Sequence, residues 1–172
     1  TGIRNTILGG LAGDALTTGS NNTALGYAAL STEDAHGRNV AIGAGALYAL
    51  NAGADAYNIA IGYDAGGSMS TGVQNTIIGG LAGDALAAGS YNQAFGYNAL
   101  GAETGASRST AIGYFALAVQ NVGSGEANNV AIGHSAGAAV TSGVQNTLMG
   151  NLAGNALTTG SFNVAIGKAA LS

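Results

Sequence analysis

Cysteine, proline and tryptophan are missing from the 172 residues, and charge is scarce, with four Lys and Arg against eight Asp and Glu. Without cysteine there is no disulfide framework and no thiolate metal site, although this leaves the compartment open. A chain of ordinary composition would carry about nine prolines. Their absence implies that nearly every backbone N–H is needed in a hydrogen-bonded ladder, which favours sheet. Charged residues make up 7% where about 25% is usual, and the mean hydropathy is +0.29. Such a chain cannot stay solvated as a disordered segment and must bury apolar surface.

The four cations, Arg4, Arg38, Arg108 and Lys168, are scattered in a chain of net charge -4. Nucleic acid is therefore excluded as a partner, because phosphate binding needs clustered Lys or Arg. No window approaches 18 uninterrupted apolar residues, and no basic stretch leads into an apolar run at the start. Neither membrane insertion nor a secretory signal is expected of this stretch.

What is present is repetition. One motif occurs ten times, as NTILG, NTALG, NVAIG, NIAIG, NTIIG, NQAFG, STAIG, NVAIG, NTLMG and NVAIG, ending at Gly9, Gly26, Gly43, Gly62, Gly79, Gly96, Gly113, Gly133, Gly150 and Gly167. Successive glycines are 17 residues apart except for spacings of 19 and 20. Three residues past each stands Ala12, Ala29, Ala46, Ala65, Ala82, Ala99, Ala116, Ala136, Ala153 or Ala170. The next position is Gly or Leu in the order Gly13, Leu30, Leu47, Gly66, Gly83, Leu100, Leu117, Gly137, Gly154, Leu171, which defines a four-repeat unit. Residues 1–172 thus read as one array, with superrepeats 1–70 and 71–141 and a partial third, 142–172. Where Gly replaces Leu, a large apolar residue follows three positions later (Leu16, Met69, Leu86, Val140, Leu157), as volume compensation in a packed interior requires.

Each repeat reads as a short strand, a glycine corner, a second short segment and a Gly/Ser/Asn turn. Alternation sends Thr23 and Leu25 to one face and Asn22 and Ala24 to the other. A strand this short needs a neighbour, and stacked repeats supply it. The sequence therefore predicts an all-β parallel β-solenoid, a β-helix or β-roll of ten roughly 17-residue repeats, intertwined or stacked as a homo-oligomer. One repeat per coil and two repeats per coil both satisfy the Gly/Leu order. Asn opens the strand in nine repeats (Asn5, Asn22, Asn39, Asn58, Asn75, Asn92, Asn129, Asn146 and Asn163), with Ser109 the exception. Stacked about 4.8 Å apart, these amides can donate and accept along the axis. Identical charges at that spacing would repel, so charge is expected in turns, as at Glu33, Asp34 and Arg38, or Glu103 and Arg108.

The repeats GSNNTALGYAAL (19–30), GSYNQAFGYNAL (89–100) and GSFNVAIGKAAL (160–171) resemble the glycine-asparagine repeats of bacteriophage tail fibres and bacterial surface fibres. NVAIG at 39–43, 129–133 and 163–167 is similar to the repeats in heads of trimeric autotransporter adhesins, although those are shorter than 17 residues. The resemblance implies a stiff, commonly trimeric rod that spaces or displays binding tips on a virion or bacterial surface, outside the cell. Any cell-surface receptor or glycan would then be met through parts outside this chain. A self-assembling extracellular filament is the alternative, and an ice-binding solenoid a further one. For ice binding, the hydroxyl row Thr6, Thr23, Thr76, Thr110 and Thr147 is broken by Val40, Ile59, Gln93, Val130 and Val164.

Enzymatic motifs dissolve into the repeat. GHSAG (133–137) has the Gly-x-Ser-x-Gly form of a hydrolase elbow, yet Gly133, Ala136 and Gly137 are repeat positions, Asp64 stands where Ser135 does, and only His36 outside the motif could serve as base. VAIGAGAL (40–47) lacks the third glycine and the helix of a dinucleotide fingerprint. GGLAGDAL (9–16 and 79–86) offers Asp14 and Asp84 to a cation, but the third copy has Asn155. No enzyme, cofactor or metal is expected, and His36 and His134 are read as turn and surface residues. Tyr27, Tyr63, Tyr97 and Tyr114 follow the corner glycine and form either an aromatic stack or a carbohydrate platform.

Overall fold

The structure, a computed structural model, describes residues 2–172. It is all-β, and none of the described residues form a helix long and apolar enough to cross a membrane. Ten three-residue strands follow one another: β1 (Thr6–Leu8), β2 (Thr23–Leu25), β3 (Val40–Ile42), β4 (Ile59–Ile61), β5 (Thr76–Ile78), β6 (Gln93–Phe95), β7 (Thr110–Ile112), β8 (Val130–Ile132), β9 (Thr147–Met149) and β10 (Val164–Ile166). They form one sheet in sequence order, every neighbouring pair parallel and in register, so that Thr23 lies over Thr6 and Ala24 over Ile7. Each repeat is therefore one coil, which decides between the two geometries. Nine steps of about 4.8 Å give a rod of about 43 Å from β1 to β10.

Three residues make a strand only because the rest of the coil turns sharply, and the backbone shows how. In every coil the corner glycine has φ between 121° and 140°. The residue two places later, the Gly/Leu site and the residue before the strand-start Asn or Ser (for example Phe115, Leu117 and Arg108) all have φ between 49° and 71°. These last three rows are left-handed helical and admit side chains at a cost of about 1–2 kcal/mol each. The corner row admits only glycine. Space gives the same answer there: a Cβ on Gly96 would sit 2.5 Å from the carbonyl oxygen of Gly113 in the next coil.

Between the corners the main chain bonds to its neighbours, as in Leu30 N–H to Ala46 O at 3.0 Å and Gly26 N–H to Leu8 O at 2.9 Å. A missing N–H would break one rung, which accounts for the absent prolines.

The core is a narrow column. The central strand residues from Ala24 to Ala165 are buried, as is the fixed alanine row from Ala12 to Ala153, with Ala170 partly covered. Leu30, Leu47, Leu100 and Leu117 fill the interior where the variable site is Leu. Where it is Gly, the space is filled from two directions. Leu16, Met69, Leu86, Val140 and Leu157 supply one, as the sequence suggests. The other is the strand centre, which becomes Ile7, Ile77 or Leu148 in three of these coils, placing Ile77 Cδ1 3.2 Å from where a Cβ on Gly83 would be.

Candidate functional site

The longest chemical feature is the asparagine row, buried from Asn22 to Asn146 and partly covered at Asn5 and Asn163. Its oxygens do not chiefly meet amides. From Asn5 to Asn146 each Oδ1 accepts the main-chain N–H of the next coil's strand-start residue, as from Asn39 to Asn22 at 3.0 Å and from Asn92 to Asn75 at 2.8 Å. Most Nδ2 groups donate to a turn carbonyl of the next coil, as from Asn58 to Gly72 at 2.8 Å. Direct amide–amide bonds run from Asn75 to Asn58 and from Asn146 to Asn129, both 3.2 Å, and from Asn163 to Asn146 at 3.0 Å.

At the exception the row is repaired. Ser109 Oγ accepts from Gln120 Nε2 at 3.1 Å, and Gln120 Oε1 accepts from Asn129 Nδ2 at 2.8 Å. Gln120 lies fully buried in the row three past the Gly/Leu site, where other coils carry Leu50 or Leu86.

The same row holds two acids. Glu33 and Glu103 lie between strands, as the spacing predicts, and are fully buried there. Glu103 Oε1 accepts the N–H groups of Thr104, Gly105 and Ala106, and Oε2 accepts Gln120 Nε2 and the Val122 N–H. Burial pushes its pKa up, but the bonds from Ala106, Val122, Gln120 and Gly105 outweigh burial and hold the carboxyl below its ordinary value. Glu33 has fewer donors, the N–H groups of His36 at 3.0 Å and Ala52 at 3.4 Å. His36 Nδ1 is buried without a hydrogen bond, 3.4 Å from Glu33 Oε1. With Asp34 these are the described residues whose ligand atoms, within 4.8 Å of one another, could hold a cation.

The outer charges pair across coils. Arg38 Nε meets Asp55 Oδ2 at 2.7 Å, and Arg108 meets Glu126. Both acids belong to the longer loops 51–57 and 121–127, whose Gly53, Gly123 and Gly125 face open space. Arg38 also covers the Tyr57 ring at 5.3 Å, and Arg108 covers Tyr91 at 5.6 Å. Opposite charges thus replace the like-charge ladder that the spacing forbids.

The elements of a hydrolase do not come together. His36 lies between β2 and β3, whereas Ser135 follows β8, about five coil steps or roughly 24 Å along the axis. Asp14 and Asp84 are four coils apart. The tyrosines form two arrangements: Tyr97 stacks on Tyr114 at 5.7 Å and Tyr114 on His134 at 5.3 Å, while Tyr27 and Tyr63, with Ala44 between them in sequence order of coils, line a recess. Tyr48, absent from the sequence-based candidates, lines it too. It escapes a search by position because its row otherwise holds small or acidic residues.

On the sheet's outer face the third strand residue is large and apolar in all ten coils, from Leu8 through Ile61, Phe95 and Ile112 to Ile166, and none is buried. No strand residue carries a charge. Comparison with protein-family models, with curated proteins and with solved structures finds no match to this chain.

Proposed function

We propose that the chain is a structural shaft segment that associates with further copies of itself into a rigid fibre, of the kind found in phage tail fibres and bacterial adhesins at the virion or cell surface. The observation that carries this reading is the apolar row on the outer face, ten large side chains along about 43 Å, four of them exposed and six partly covered, with no charge on the same strands. A continuous, partly exposed apolar row of that length supports an association surface. Its repeat of about 4.8 Å is matched along its whole length by a second solenoid of the same pitch, and sheet faces pack about 10 Å apart with side chains interdigitated. The buried Asn and Ala rows make the rod stiff, so loops and flanking segments are held at fixed spacing.

The test is sedimentation of the wild-type chain beside an Ile61→Lys/Ile112→Lys variant. The expected result is an oligomer for the wild type, and a monomer with unchanged β-sheet circular dichroism for the variant. A monomeric wild type, or an oligomer indifferent to both lysines, overturns the reading.

A further inference from the structure

Two recesses lie side by side on coils 2 to 5 and share Tyr48 and Asp64. The first, of about 220 Å³, is lined by Tyr27, Tyr48, Tyr63 and Asp64 above a floor of Ala28, Ala44 and Gly45. The second, of about 250 Å³, continues past Gly67 and Ser68 to Asp84. The first exists because small residues, Ala44 between Tyr27 and Tyr63 and Gly45 before Asp64, interrupt rows of larger ones. The more telling interruption is Gly45. Its backbone position is left-handed in every coil and holds Ala28, Asp64, Asn98, Phe115 or Leu152 elsewhere, so the conformation does not demand glycine. The missing Cβ leaves room for a side-chain tip instead: a Cβ on Gly45 would lie 1.9 Å from Asp64 Oδ1 and would turn that carboxylate aside. Glycine there lets the Asp64 carboxylate lean back over the preceding coil into the recess.

We propose that this recess binds a small organic cation bearing a methylated ammonium group. Three tyrosine rings and a carboxylate around one space match that chemistry. The rings attract a cation through their quadrupoles, the methyl groups bury against them, and the carboxylate neutralises the charge without needing a hydrogen bond. No Lys, Arg or His lines either recess. The Tyr63 hydroxyl pKa is raised, first by its hydrogen bond to Asp64 and then by that carboxylate's charge. The Asp84 pKa is raised chiefly by partial burial, with the Asp64 charge adding to it. A neutral saccharide would stack on the tyrosines but leave the Asp64 carboxylate uncompensated. A hydrated inorganic cation would satisfy the carboxylates but forgo the rings. A methylated ammonium uses both, and the site does not depend on self-association.

Titration of the chain with tetramethylammonium chloride, followed by calorimetry and by NMR of the tyrosine rings, tests this, with sodium chloride and cellobiose as competing probes. Saturable binding of one tetramethylammonium per chain is expected, with shifts confined to Tyr27, Tyr48 and Tyr63. Asp64→Asn and Gly45→Ala should each weaken it about tenfold, as should Tyr48→Ala. Gly45→Ala places the residue of Ala28 and Ala169 in the same backbone position, so its melting and β-sheet signal should stay those of the wild type. Tyr97→Ala, outside the recess, should leave binding unchanged. Absent saturation, equal binding by sodium, tighter binding by cellobiose, or full affinity in Asp64→Asn would each overturn the proposal.

Discussion

Replacing Gly96 by Ala isolates the feature on which the coil geometry depends. Gly96 has φ of 132°, and an added Cβ would meet the Gly113 carbonyl oxygen at 2.5 Å and its carbon at 2.6 Å. Both partners are main chain, so neither can swing aside as a side-chain tip could. The conformation alone costs an alanine about 1–3 kcal/mol. Relieving the overlap means separating two coils whose glycines are followed within three residues by the buried alanine row, which brings the total to about 4 kcal/mol, at the upper end of single substitutions. Gly123→Ala is the control, because Gly123 also has positive φ, 84°, but nothing within 4 Å of a Cβ. It should cost about 1 kcal/mol. Urea unfolding followed by circular dichroism, with hydrogen exchange to locate any local opening between β6 and β7, measures both. Loss of stability in Gly96→Ala no greater than in Gly123→Ala would refute the claim that stacked carbonyls, rather than backbone preference alone, exclude side chains from the corner.

Three further outcomes are expected. Ala99→Leu overfills a fully buried row that is alanine in every coil and should lower stability by about 1–3 kcal/mol, read as a lower melting temperature. An unchanged melting temperature would show that the row has room. Gln120→Leu copies the residue of Leu50 into a coil where Ser109 and Glu103 depend on the amide, and should cost about 1–3 kcal/mol. Adding Ser109→Asn should recover part of that loss, and strict additivity of the two changes would contradict the repair. Because the folded Glu103 carboxyl lies below its ordinary value, its contribution is whole above about pH 4.3 and drains away as pH falls through the folded value. Glu103→Gln should therefore flatten the acid limb of a stability profile, and an unaltered limb would locate the acid sensitivity elsewhere.

The solenoid was legible because its signal is written ten times. The strand-start Asn, the corner Gly and the fixed Ala each sit at one place in the coil, so chance similarity is excluded by repetition alone. Coil size was not legible, since Gly13 against Leu30 conserves volume whether the two share a coil or adjoin in successive coils. Nor was the left-handed backbone at 24 side-chain-bearing positions, because residues such as Arg4, Tyr57, Leu81 and Phe115 give no hint of φ above zero. The buried carboxylates were hidden for a different reason. Glu33 and Glu103 sit among Thr, Ser and Gly, which reads as a solvated turn, and only the folded coil shows their N–H groups converging on a carboxylate. A signal for the repair did exist: Ser109 breaks the Asn row in the same coil where Gln120 replaces an apolar residue. The recess depended on Gly45, whose meaning appears only when Asp64 is seen one coil above it.

The most direct measurement is an electron cryomicroscopy reconstruction of the purified chain. The expected result is several rods of about 43 Å per copy with parallel axes and steps of about 4.8 Å, in contact through the face that carries Leu8, Ile61, Ile112 and Ile166. Isolated single rods with that face bare to solvent, or rods joined through the arginine-paired loops instead, would contradict the self-associating shaft.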